Sequence, residues 1–296
     1  MSAKLLDGKT TSLAIKSSLK NKVEKFVVEG KRAPHLVAVL VGNDGGSLTY
    51  VNAKVKACKE VGFNSTLIHF DEQVSQEVLL NKVESLNNDE NVDGFIVQLP
   101  LPKHINEKTV TLTIDPLKDV DGFHPVNIGK MSLNLPCFLP ATPNGVLELL
   151  KEYEIPTEGK HCVIIGRSAI VGTPLSILLS RNRNPGNATV TLTHSRTKNL
   201  KEITQNADIL ISAIGKPAFI KADMIKNGAV VIDVGISRVE DLSKKSGYKL
   251  YGDIDFESVS QKASFLTPVP GGVGPMTIVS LLQNTFQAYQ NKSVNF

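Results

Sequence analysis

Gly166-Arg167-Ser168-Ala169-Ile170-Val171-Gly172 follows the apolar run Cys162-Val163-Ile164-Ile165 and leads into a helix-forming stretch. The chemistry such an arrangement serves is the holding of phosphate. A buried strand that breaks into a small-residue turn lets backbone come close to a ligand, and the helix beyond it turns free N–H groups toward an anion. The dinucleotide fingerprint has glycine at its first, third and sixth positions. Here Ser168 holds the third, Val171 the sixth and Gly172 the seventh. The match is degenerate, and a plain strand-to-helix turn accounts for it equally well.

The strand after it, Thr189 to Thr193, runs into His194-Ser195-Arg196-Thr197. A site for an unphosphorylated ribose carries Asp or Glu at the end of this strand. Hydroxyl and guanidinium groups without a carboxylate suit a 2′-phosphate, and Arg167 in the turn adds a second positive charge. The expected cofactor is therefore NADP rather than NAD, bound by Gly166, Arg167, Ser168, Ser195 and Arg196. Gly215-Lys216-Pro217 and Gly235-Ile236 fall just past later strand ends, where a dinucleotide lies, and Ile236 joins the expected contacts.

Other reactive side chains lie in the first half. Tyr50 and Lys54, at i and i+4, share a helical stripe beside the core-facing Val51, Val55 and Cys58. Alone, such a pair is most often an ordinary surface pair. Gln98 closes the apolar run Gly94-Phe95-Ile96-Val97, at a strand end of the kind that borders a crevice. Asp119-Val120-Asp121-Gly122 reads as a loop, as fit for a turn as for a ligand. Thr267-Pro268-Val269-Pro270-Gly271-Gly272-Val273-Gly274-Pro275 is rigid, poor in side chains and launches the last helix.

The elements that must carry these residues can be placed from the pattern. The first half predicts a helix over Ser12 to Val28, a buried strand at His35 to Val41 and a helix capped by Ser47 and closed by Gly62. A short strand at Leu67 to Phe70, a helix from Gln76 and the Gly94 strand follow. Thr142-Pro143 starts a helix toward Tyr153 that serves as the domain crossing. Beyond it, strands at Val163, Thr189, Ile209 and Ala229 alternate with helices from Ala169 and near Leu200, which predicts a doubly wound parallel sheet. No internal repeat is evident.

At 296 residues the chain is long for one core, so two α/β domains are expected. Charged residues at 21% describe a soluble globular chain, and the start lacks a secretory apolar segment, which points to the cytoplasm. Three scattered cysteines and six histidines without ligand spacing predict reduced thiols and no metal. A net charge of +4 argues against nucleic acid and suits small anions.

Taken together, Tyr50-x-x-x-Lys54, Val97-Gln98-Leu99-Pro100-Leu101-Pro102, Asp119-Val120-Asp121-Gly122, the Gly166 turn and Pro268-Val269-Pro270-Gly271-Gly272-Val273-Gly274-Pro275-Met276-Thr277 resemble one family across almost the whole chain. It is the bifunctional methylenetetrahydrofolate dehydrogenase/methenyltetrahydrofolate cyclohydrolase family. Ala141 stands where a cysteine often precedes Thr-Pro, and the Asn182 to Gly186 turn looks longer; neither touches a proposed catalytic residue.

The resemblance implies NADP-dependent oxidation of 5,10-methylenetetrahydrofolate, then hydrolysis of the methenyl form to 10-formyltetrahydrofolate in the same cleft. It gives Lys54 the central proton-carrying role, with Gln98 holding the amine and Tyr50 positioning the pterin or relaying a proton. An amine that moves protons near neutral pH needs its pKa lowered by roughly three units, about 4 kcal/mol, and burial beside a cationic intermediate pushes that way. Asp121 is to accept from the pterin's amide and amino edge, and Pro270, Gly271 and Gly272 are to let backbone approach the folate. Residues 1–142 with 275–296 are expected to form the folate domain and 143–274 an NADP-binding Rossmann-type domain. A homodimer is implied as well. A shikimate- or amino-acid-type NADP dehydrogenase and a non-catalytic NADP-binding regulator are the alternatives. The Pro-Gly-Gly-Val-Gly-Pro segment counts against the first, and the joint presence of Tyr50, Lys54, Gln98 and Asp121 against the second.

Overall fold

A computed structural model describes residues 2–241, 243 and 247–294. The strands are β1 (Lys4–Leu5), β2 (His35–Val41), β3 (Asn64–Phe70), β4 (Gly94–Val97), β5 (His161–Ile165), β6 (Thr189–Thr193), β7 (Ile209–Ser212), β8 (Val230–Asp233), β9 (Ser237–Glu240), β10 (Tyr248–Tyr251) and β11 (Phe265–Leu266). The helices are α1 (Gly8–Val28), α2 (Gly45–Glu60), α3 (Gln76–Asn88), α4 (Glu107–Thr113), α5 (Pro125–Ser132), α6 (Ala141–Glu152), α7 (Gly172–Ser180), α8 (Leu200–Gln205), α9 (Phe256–Ser260) and α10 (Val273–Val294).

The chain divides into two compact units, one of Leu13–Ala141 with Ile278–Phe296 and one of Met1–Ser12 with Thr142–Thr277. The first, which we call the lysine unit, is built on a parallel sheet in the order β3-β2-β4. In β2 the period of two separates the two faces. Leu36, Ala38 and Leu40 join a core with Leu19, Val23, Val51, Cys58, Leu282 and Phe286, while Val37, Val39 and Val41 join one with Leu79, Val83, Phe95 and Val97. Burial on both faces is why β2 reads as an unbroken apolar run. The end of α10 packs here through its aromatic rings, Phe286 lying 5.7 Å from Phe26.

The second, the sheet unit, holds six strands in the order β1-β11-β8-β7-β5-β6, parallel throughout. Strand order reverses between β5 and β7, and Gly166 follows β5 at that switch point, where open α/β sheets take their ligands. The antiparallel pair β9-β10 was not expected, because four-residue, largely exposed strands leave no apolar period to read.

The structure corrects the expected organisation in three places. The first twelve residues belong to the sheet unit, because Lys4 and Leu5 pair with Phe265 and Leu266; two residues are too few to show periodicity. Thr142 and residues 275–277, expected in the folate domain, also belong to the sheet unit, and positions 1, 295 and 296 of the expected folate domain lie outside the described residues.

The third correction concerns repeats. In the lysine unit His35 N–H donates to Asp93 Oδ2, its Nδ1 meets the Asn91 carbonyl and its Nε2 meets Thr66 Oγ1. In the sheet unit His161 does the same with Asp208 Oδ2, the Asn206 carbonyl and Thr191 Oγ1. The two orders β3-β2-β4 and β6-β5-β7 match as well. One strand cassette therefore occurs twice, its four shared residues too widely spaced along the chain for the sequence to betray it.

Asp233, at the end of β8, is buried, and burial pushes its carboxyl up to about 7, with Asp253 adding to the rise and three backbone N–H donors opposing it. An unfolded aspartate ionises near 3.8, so the native chain keeps this proton between about pH 4 and 7. Its contribution to stability is full below about pH 4 and lost as pH rises through about 7. The thermal midpoint of the parent should fall relative to that of Asp233→Asn as pH is raised from about 5 to about 8; a difference that stays constant contradicts this.

Candidate active site

Lys54 reaches its place through the packing of α2. The buried residues of that helix include Ser47, Val51, Lys54 and Cys58, a spacing that puts all four on one stripe. The lysine thus lies on the buried stripe itself, whereas Val55, expected there, is only partly buried. Only 7% of Lys54 is exposed, against 37% for Tyr50 one turn earlier. The cap also differs: Asp44 rather than Ser47 closes the helix start, its Oδ2 accepting from Ser47 N–H at 2.7 Å. A carboxylate before two glycines outcompetes the serine hydroxyl, which donates to the same oxygen at 2.9 Å.

A buried amine needs a hydrogen-bond partner. Lys54 Nζ donates to Gln98 Oε1 at 3.1 Å. The amide is set by its other end, where Nε2 donates to the Leu99 carbonyl at 2.7 Å, so its oxygen faces the amine. Gln98 N–H in turn donates to the Val39 carbonyl at 2.8 Å, tying the side chain to the end of β2.

Asp121 sits in the loop between the strand partner of Phe95 and α5. Burial raises its carboxyl above the usual carboxylate range; Lys54 opposes the rise and Asp119 adds to it. The loop is built by other residues. Asp119 Oδ2 accepts from His124 N–H and Asn127 Nδ2, while Asn284 of α10 donates to the Val120 and Leu139 carbonyls. Gly122, at φ +75°, is pressed against Leu139, and a Cβ there would stand 2.6 Å from the Leu139 carbonyl carbon. Asp119 and Asn284 were not singled out from sequence: the first looks like any turn acid, and the second is one of many polar residues in α10.

Lys54, Gln98, Tyr50 and Asp121 therefore belong to one unit, with the amine and the amide in contact. Pro270, Gly271 and Gly272 belong to the other. Gly272 N–H donates to the Pro268 carbonyl at 2.8 Å and Lys9 N–H to the Gly271 carbonyl at 2.9 Å, so this turn is fastened to the start of α1. That start is four residues earlier than expected, because the Asp7 carboxylate accepts from Lys9 and Thr10 N–H.

In the sheet unit the phosphate turn is closer than its sequence suggests. Gly166 has φ +111°, and a Cβ there would strike the Ala213 carbonyl. A Cβ on Gly172 would run into the Gly166 carbonyl, so the close-approach glycine sits at the seventh position of the motif. The helix α7 begins at Gly172 rather than Ala169, since Ser168 Oγ accepts from Val171 N–H and shapes a turn before it. No side chain caps α7; Thr173 N–H donates to the Ser168 carbonyl at 3.1 Å and Pro174 carries no N–H, so Gly172 is the residue whose backbone comes nearest to a ligand at this helix start. Arg167, Ser168, Ser195 and Arg196 are exposed and Ile236 is half-buried. Hydroxyls and guanidinium groups in the 194–197 segment, with no carboxylate, fit a phosphorylated ribose.

Burial pushes the thiols of Cys58 and Cys162 up to about 12, which makes them poor nucleophiles. Among the described residues, no three His, Cys, Asp or Glu side chains group as metal ligands, and no helix is long and apolar enough to cross a membrane.

Comparisons with known proteins agree in one direction. A family model described as the catalytic domain of tetrahydrofolate dehydrogenase/cyclohydrolase matches residues 6–121, and one described as its NAD(P)-binding domain matches 140–293. A protein of Cytophaga hutchinsonii named bifunctional protein FolD is 62% identical over 284 residues, covering 96% of this chain and 98% of its own. The crystal structure of the bifunctional enzyme FolD from Campylobacter jejuni is 47% identical, with a TM-score of 0.91, over 98% of this chain and 99% of that one. The Trypanosoma brucei dehydrogenase-cyclohydrolase, solved with NADP cofactor and an inhibitor, is 37% identical with a TM-score of 0.94 over 99% of each chain.

Proposed function

The chain belongs to the tetrahydrofolate dehydrogenase/cyclohydrolase family, and from that premise we propose how its own residues divide the work. The enzyme oxidises 5,10-methylenetetrahydrofolate to the methenyl form with NADP and hydrolyses that product to 10-formyltetrahydrofolate. The observation that carries the assignment of roles is the buried Lys54 amine held by Gln98.

NADP supplies the hydride acceptor when bound, and this step asks no acid or base of the protein. In the hydrolysis, water adds to the methenyl carbon and gives up one proton to Lys54 Nζ. The bond from that carbon to one folate nitrogen then breaks as the nitrogen takes the proton from Lys54. The second proton of the water leaves to solvent as the formyl carbonyl forms. Gln98 keeps the amine in place for both transfers, and Tyr50, on the exposed side of the same helix, positions the pterin. Asp121 accepts from the pterin's paired N–H donors, and the backbone at Pro270, Gly271 and Gly272 approaches the folate.

On the cofactor side, Gly166, Arg167 and Ser168 receive the phosphates, Ser195 and Arg196 the 2′-phosphate, and Ile236 borders the nicotinamide end. The test follows the absorbance of reduced cofactor with methylenetetrahydrofolate and either NADP or NAD. The parent should prefer NADP, and Ser195→Asp should cut that preference by about 30-fold, roughly 2 kcal/mol of like-charge repulsion. An unchanged ratio would remove Ser195 from the site. A cytoplasmic location, supported by the free cysteines, and the absence of nucleic acid as a partner, supported by the modest charge, complete the proposal together with a homodimer and no membrane partner.

A further inference from the structure

Two buried carboxylates stand side by side in the sheet unit. Asp253 has no exposed surface and Asp233 is 3% exposed. Asp253 Oδ2 accepts from Ser212 Oγ at 2.9 Å and Ile214 N–H at 2.8 Å, and its Oδ1 accepts from Lys216 N–H at 2.8 Å. Asp233 Oδ1 accepts from Gly235 and Asp253 N–H, and its Oδ2 from Ile254 N–H at 2.9 Å.

Each carboxylate is also covered by a glycine that adjoins the other. A Cβ on Gly235 would collide with the Asp253 carboxylate, and one on Gly252 with that of Asp233. The pair is interlocked: Asp233 fixes residues 253–254, and Asp253 fixes residues 214–216. Gly215, at φ +64°, lets the N–H groups on both sides of it turn toward one acceptor, a backbone nest filled by the protein's own carboxylate.

What this fixes is one wall of the switch point. Ala213 N–H donates to the Ile165 carbonyl at 2.9 Å, and Gly166 is packed so closely on Ala213 and Ile214 that it tolerates no side chain. We propose that Asp253 is a positioning residue for NADP: its carboxylate holds the chain leaving β7 in the shape that keeps the phosphate turn at Gly166 and the segment 214–216 aligned for the dinucleotide. Asp233 acts through Asp253. The inference rests on NADP binding at this switch point.

The test measures NADP affinity by titration, steady-state constants of the dehydrogenase, and cyclohydrolase activity without cofactor, for the parent, Asp253→Asn and Ser212→Ala. In Asp253→Asn an amide N–H faces a backbone N–H, and the Kd and KM for NADP should rise about tenfold, the worth of one lost hydrogen bond to a charge. The dehydrogenase kcat at saturating NADP and the cyclohydrolase rate should stay within about twofold of the parent. Ser212→Ala removes one donor from Asp253 and should raise the Kd about threefold, which decides the matter if Asp253→Asn fails to fold. Unchanged NADP affinity in a folded Asp253→Asn, or in Ser212→Ala, overturns the inference, as does an equal loss of both activities. A parent that fails to bind NADP at all would instead sink the cofactor assignment on which the inference stands.

Discussion

Lys54→Met should lower cyclohydrolase kcat by about a thousandfold, within the range by which a positioned proton carrier speeds a reaction, while the dehydrogenase keeps a tenth or more of its rate, to order of magnitude. The split follows from what each step needs. Water addition and ring opening both move a proton at the folate, and in the proposed division of roles Lys54 Nζ, held by Gln98 Oε1 at 3.1 Å, carries it. Hydride transfer needs only juxtaposed donor and acceptor. Methionine keeps the unbranched stem that packs beside Val51 and Cys58 on the buried stripe of α2, and it exchanges a buried polar end for an apolar group of similar volume, so the helix should stay seated. The measurement is the pair of initial rates on the same preparation. Equal retention of both rates would take Lys54 out of the mechanism; equal loss of both would mean that it holds the fold or the substrate rather than a proton.

Much of the scaffold around that lysine was legible, and the reasons differ from place to place. β2 could be placed to the residue because both of its faces are buried, which makes an apolar run with sharp ends. The phosphate turn could be found because glycine is required where backbone meets backbone. Its register could not, because the collision that requires Gly172 involves the Gly166 carbonyl and is visible only in three dimensions. The burial of Lys54 was hidden for a related reason: a lysine on a stripe shared with Val51 and Cys58 looks, by composition, like the polar neighbour of that stripe.

What the pattern could not reach is long-range pairing. β1 exists because β11 offers Lys4 and Leu5 a partner some 260 positions along the chain. Asn284 builds the Asp121 loop across 164 and 145 positions, its two bonds closing on Val120 and Leu139. The duplicated histidine cassette shows the same limit, its matching contacts joining His35 to Thr66, Asn91 and Asp93 and His161 to Thr191, Asn206 and Asp208 across long stretches of chain. Local propensity carries no record of such contacts.

Asp121→Ala should raise the folate KM of both reactions by about a hundredfold and leave the KM for NADP unchanged. A carboxylate that accepts from two neighbouring N–H donors makes charge-assisted bonds worth roughly 1.5 to 3 kcal/mol each, of which about 3 kcal/mol in total survives as net binding. Burial has already raised this carboxyl, with Lys54 as the chief opposing influence, so donors brought by the pterin meet an acceptor poorly served by the protein itself. The loop does not depend on the side chain. Asp119 and Asn284 hold the backbone on either side, and the Asp121 carbonyl, which the substitution keeps, accepts from Ala141 N–H at 3.2 Å. The alanine variant should therefore fold and bind cofactor as the parent does. Its signature is a change in KM shared by two reactions, against the change in kcat confined to one that marks Lys54, and the two variants together separate anchoring of the pterin from movement of its proton. A folate KM within about threefold of the parent in Asp121→Ala, half a kcal/mol or so, would leave the pterin edge to be held by other groups.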